Sequence, residues 1–101
     1  MSVIWVTVIE VLDSEQYAKY SALAMDTPMK YGGRPFKRGK QDLVEGEPPL
    51  HLHALLEFPS LDAAWQWYNS PEYAKAREVR GDSARVRSVF LEGSFADPVT
   101  T

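Results

Sequence analysis

A chain of 101 residues, 45% hydrophobic and 25% charged, fits one folded domain and not a disordered segment. Its formal net charge of -3 and pI near 5.3 argue against general affinity for nucleic acid or an anionic membrane, since both need a basic surface. It has no cysteine, which excludes disulfides, thiolate nucleophiles and sulfur-bound metals and makes a reducing cytoplasm the expected compartment.

The opening run MSVIWVTVIEV reads as a strand, not a leader or a membrane span, because Glu10 and Asp13 interrupt it well short of the ~20 apolar residues a span needs. Ile4, Val6 and Val8 point to one side of that strand, and Val3, Trp5, Ile9 and Val11 to the other. Asp13 with Gln16 three positions on forms a reciprocal cap, and Tyr17, Tyr20, Ser21 and Ala24 then recur at helical spacing, so a first helix is expected from Ser14 to about Asp26. Thr27-Pro28 closes it, and Tyr31-Gly32-Gly33 supplies a turn.

Arg34 to Glu45 reads as a second strand kinked at Gly39-Lys40, followed by the stiff connection Gly46-Glu47-Pro48-Pro49. His51 to Phe58 alternates as a third strand, with Leu52, Ala54, Leu56 and Phe58 on one face and His51, His53, Leu55 and Glu57 on the other. Ser60 caps a short helix in which Leu61, Ala64, Trp65 and Tyr68 share a face, and Asn69 interrupts it. Ser70-Pro71 restarts a helix that turns Tyr73, Ala76 and Val79 inward until Gly81. Val86 to Gly93 is the last strand, so one domain spans residues 1–95 and a flexible tail covers 96–101.

Strand, helix, strand, strand, helix, strand is the order of a ferredoxin-like α+β sandwich: a four-stranded antiparallel sheet with its helices on one face. The first strand is apolar on both faces, and the helices cover only one of them. A second copy of the chain is the simplest cover for the other, which points to a homodimer.

Asp13-x-Glu15-x-Tyr17, Tyr31-Gly32-Gly33, Leu43-Val44-Glu45-Gly46, Glu57-Phe58-Pro59-Ser60, Trp67-Tyr68-Asn69-Ser70-Pro71-Glu72-Tyr73 and Phe90-Leu91-Glu92-Gly93 together resemble the family called domain of unknown function 1330. The resemblance implies membership of the dimeric α/β-barrel superfamily, in which two ferredoxin-like sheets close into one barrel. It implies no assigned activity, although superfamily relatives include cofactor-free monooxygenases, muconolactone isomerase and haem-dependent enzymes.

Chemistry-bearing residues are sparse. His51 and His53 share a strand face with Glu57, a set able in principle to hold zinc or relay a proton or, as polar groups, to line a dimer seam. The chain has only these two histidines, so no metal and no cofactor is expected. Trp65, Tyr68, Asn69 and Tyr73 crowd the helix break, where they make either core or an aromatic cleft. Arg34 beside the diglycine suits a carboxylate, while Arg34, Lys37, Arg38 and Lys40 form a basic stripe that protects a strand edge or meets an anionic ligand. Tyr31, Arg34, His53, Trp65, Asn69 and Tyr73 are therefore expected to converge on one ligand cleft for a small anionic or aromatic metabolite. The alternatives are a cofactor-independent monooxygenase or isomerase, with His53 or His51 taking a proton, and a structural or regulatory interaction module.

Overall fold

A computed structural model describes residues 2–96. The elements run β1 (Ser2–Val11), α1 (Ser14–Ala24), a single 3-10 turn (Pro28–Tyr31), β2 (Arg34–Pro35), β3 (Leu52–Phe58), α2 (Leu61–Tyr68), α3 (Pro71–Arg80) and β4 (Ala84–Gly93). The sheet order is β2-β3-β1-β4 with every neighbour antiparallel, which makes the chain an α+β protein of ferredoxin-like form. Apart from Ala96, the expected tail lies outside the described residues. No helix among those described is long and apolar enough to cross a membrane.

Local chemistry accounts for the helix starts. The Asp13 side chain accepts from the Gln16 N–H at 3.2 Å, Ser60 from Ala63 at 3.1 Å and Ser70 from Tyr73 at 3.2 Å, each meeting a donor that an uncapped first turn leaves orphaned. Both glycines of the turn before β2 are required. Gly32 sits at φ 80°, and a Cβ on Gly33 would lie 2.7 Å from the Pro28 side chain and 2.8 Å from the Phe58 ring.

Burial alternates along β1. Val3, Trp5, Thr7 and Ile9 are buried, and Val3 and Trp5 pack in one cluster with Tyr20 of α1, Ala64 and Trp67 of α2 and Tyr73 and Ala76 of α3. All three helices thus cover the same sheet face. The opposite face carries Ile4, Val6 and Val8, paired with Glu57, Leu55 and His53 on β3 and with Leu91, Val89 and Arg87 on β4. No helix among the described residues covers it, and Val89 and Leu91 are 52% and 59% exposed.

Two sequence expectations change here. β2 is two residues long instead of reaching Glu45: after Pro35, which has no N–H to donate, the Phe36 amide makes one further bond to Leu55 and the ladder ends. The Gln41 side chain then takes the place of a neighbouring strand, donating to the His51 carbonyl at 2.9 Å and accepting from the His53 amide at 3.0 Å. On α2 the tryptophan in the core is Trp67, 1% exposed, whereas Trp65 is 47% exposed. The buried arc of α2 is Ala64 and Trp67, and α3 continues it with Tyr73 and Ala76 beyond the break.

Candidate functional site

The helix-covered face is not filled solid. A cleft of about 280 Å³ opens between α1, the start of the segment after β2, and the sheet. Trp67 and Tyr73, both buried, form its floor with Trp5 and Tyr20, while Tyr17 and the exposed Arg38 stand nearer the rim. The floor rings hold one another: Trp67 lies 4.2 Å from Tyr73 and 5.1 Å from Trp5, centroid to centroid. The Trp67 indole N–H donates to the Thr27 hydroxyl at 2.9 Å, which fixes the ring and satisfies its one donor.

The polar content of the cleft is phenolic and cationic. The Tyr20 and Tyr73 hydroxyls are 2.7 Å apart, in hydrogen-bond contact. Burial, then the neighbouring Tyr20, pushes the Tyr73 phenol well above the ordinary range, and burial likewise raises Tyr17. The Tyr73 and Tyr17 phenols are accordingly neutral hydrogen-bonding groups at physiological pH. Arg38 is anchored by donating to the His53 carbonyl at 2.6 Å, so its guanidinium stands at the rim. The lining includes no histidine and no carboxylate. Such a site orients a ring and an anion, and its side chains include no carboxylate or imidazole base.

Of the six residues expected to converge, only Tyr73 lines this cleft. Tyr31 points elsewhere and donates to Glu72 at 2.7 Å; that bond raises the phenol and lowers the carboxyl. Asn69 ends α2, its amide donating to the Trp65 carbonyl at 2.9 Å. Trp65 stacks edge-on against Phe90, 4.9 Å away, in a separate depression of about 440 Å³ at the β4 edge whose lining includes Leu61, Tyr68 and Ser88 but no charged group.

Arg34 and His53 do share a face, but it is the helix-free one. The register sets Arg34 opposite Glu57, and the two form an ion pair. His53 lies opposite Val8 and is exposed. His51 stands 4.0 Å from Glu10, which also receives Arg85 at 3.3 Å. A single cleft gathering all six is thus corrected to groups on opposite faces of the sheet, because strand alternation and the register of β2 send Arg34 away from the helices. Among the described residues no three His, Asp or Glu side chains come together as a metal cluster.

The cleft residues that the sequence did not nominate are Tyr17, Tyr20, Trp67 and Arg38. The signals were present: Tyr17 and Tyr20 mark the inner face of α1, and Arg38 belongs to the basic stripe. Trp67 lay hidden behind Trp65, two positions before it.

Residues 2–94 match the family described as "Domain of unknown function (DUF1330)". No curated protein matches the chain. Among solved structures, the RPA0582 protein of unknown function from Rhodopseudomonas palustris superposes with a TM-score of 0.74 at 18% identity, covering 94% of this chain and 84% of that one. A dimeric protein of unknown function and ferredoxin-like fold from Bacteroides fragilis gives 0.63 at 19% identity, over 91% and 96% of the two chains. A Nitrosomonas europaea protein, provisionally described as an antibiotic biosynthesis monooxygenase, gives 0.64 at 11% identity over 91% and 89%. These likenesses share the fold and carry no activity across.

Proposed function

Because the chain belongs to the DUF1330 family, whose name assigns no activity, we propose a function from the geometry: a homodimer that binds a small anionic aromatic metabolite in the cleft between α1 and the sheet. The observation that carries the reading is the cleft of about 280 Å³, floored by Trp67 and Tyr73 and rimmed by Arg38. It lies at the small end of ligand sites, a size suited to one ring, and it combines apolar walls with a few orienting groups. Arg38 supplies a planar fork for a carboxylate. The oxygenase or isomerase alternative needs a base near the ring, and both histidines stand on the other side of the sheet.

The dimer belongs to the same proposal. A second copy placed on the helix-free face would cover Ile4, Val6, Val8, Leu55, Val89 and Leu91, and the Bacteroides fragilis neighbour is described as dimeric. In this arrangement Arg34, Glu57, His53 and His51 line the seam instead of contacting a ligand.

The test is thermal unfolding with benzoate and 4-hydroxybenzoate. Ligand in large excess over its dissociation constant should raise the melting temperature by several degrees by mass action. Arg38→Ala should abolish the rise, measured against that variant's own unliganded melting temperature, since it also loses the hydrogen bond to the His53 carbonyl. No rise at millimolar ligand, or an equal rise in Arg38→Ala, contradicts the reading.

A further inference from the structure

The floor of the cleft has one hydrogen more than it can place. Tyr20 and Tyr73 are 6% and 1% exposed, and each hydroxyl has the other as its only hydrogen-bond partner among the described residues. Two phenols carry two O–H hydrogens, and one contact at 2.7 Å consumes one of them. The second donor is left buried, beside a cleft that both residues line. No carboxylate, histidine or amide side chain shares that lining, the Ser21 hydroxyl that does is bonded to neither phenol, and the guanidiniums over the two rings, Arg80 5.1 Å from Tyr20 and Arg77 5.6 Å from Tyr73, are only donors.

We propose that this spare donor is the specificity element of the cleft and that the ligand is an aromatic carboxylate carrying an acceptor oxygen, as hydroxyl, ether or carbonyl, on the side of the ring away from the carboxylate. The inference rests on the binding role proposed above and adds to it the second end of the ligand. Arg38 is exposed and the phenol pair buried, so an anion held at the rim directs the far end of its ring toward the floor. An oxygen there accepts the free O–H; a methyl group leaves the donor unmet. Sites built around a buried hydrogen-bonding group reject analogues that lack the matching one far more strongly than apolar pockets reject a change of size.

Titration calorimetry with four ligands and two proteins separates the possibilities. Wild type should bind 4-hydroxybenzoate about tenfold more tightly than 4-methylbenzoate, its near-isostere. 4-Aminobenzoate, whose ring-conjugated nitrogen is a poor acceptor, should behave like the methyl compound. In the Tyr20→Phe/Tyr73→Phe double variant the preference for the hydroxy over the methyl compound should vanish, with unsubstituted benzoate measured as the reference for each protein. Removing both partners together leaves no orphaned group, so the variant is expected to fold. Should it fail to fold, the wild-type ranking of the hydroxy, amino and methyl compounds still decides. Benzoates that bind wild type without discrimination, or a preference that survives in the double variant, overturn the inference and leave the binding role standing. Failure of every benzoate to bind overturns both.

Discussion

Trp67 shows how a single donor sets a fold's tolerance. Its indole N–H has the Thr27 hydroxyl as partner in the interior, so Thr27→Val, close in shape, should orphan it at a cost of about 1–3 kcal/mol, while Thr27→Ser should cost far less. Urea unfolding measures the difference, and equal midpoints for the two variants would contradict it. The buried phenols set an alkaline limit in the same way. Tyr73 and Tyr17 have folded-state values raised above the unfolded one, foremost by burial. The fold therefore favours the protonated phenol; that contribution is complete below pH ~10, the unfolded value, and is lost as the pH rises beyond it. The urea midpoint should fall steeply above about pH 10, and less steeply in Tyr20→Phe/Tyr73→Phe. An unchanged slope in that variant would show that other groups govern the limit. At this scale the sequence was least legible. Trp65 and Trp67 stand two apart in a helix of eight residues, and apolar spacing admits either as the inward one. What decides is the restart at Ser70-Pro71, which continues the Ala64–Trp67 arc into Tyr73 and Ala76; that is a tertiary fact.

Among the elements, capping and alternation were legible because they are local. Asp13, Ser60 and Ser70 each cap the helix their positions foretold, and β1, β3 and β4 fall within two residues of their expected bounds. The second strand was not legible, since strand pairing depends on a neighbour as well as on composition. Beyond Pro35, side chains of the incoming segment hold β3: Arg38 on the His53 carbonyl, and Gln41 on both the His51 carbonyl and the His53 amide. Gln41→Ala should therefore expose the His53 amide to rapid hydrogen exchange, while the Phe36 amide, bonded to the Leu55 carbonyl, stays protected. Protection of His53 that is unaffected by the substitution would mean that the segment is held by other contacts. This clasp also positions Arg38 at the rim of the cleft, which links an irregular stretch of chain to the proposed binding role.

For the whole molecule, the sheet is apolar on two faces and has helices for one. A homodimer through the helix-free face should elute in light-scattering chromatography at about twice the 11.4 kDa chain mass. Leu55→Asp should lower that mass, because burying a carboxylate without a partner at the seam is strongly unfavourable. A wild-type monomer at micromolar concentration would contradict the dimer. The two apolar faces were legible from β1 alone, where Val3, Trp5 and Ile9 alternate with Ile4, Val6 and Val8; the homodimer is the proposal drawn from them. The candidate cleft was not legible: of the six residues named from the sequence only Tyr73 lines it, and its arginine is Arg38 in place of the expected Arg34. Binding in that cleft is the central claim, and the Trp67 indole N–H, fixed on Thr27 at the cleft floor, is its most direct reporter. In a two-dimensional nitrogen–proton spectrum titrated with 4-hydroxybenzoate, that resonance should shift to saturation while the Trp65 indole, in its separate depression, stays in place. A titration that moves Trp65 and leaves Trp67 unmoved, or moves neither, would contradict the account.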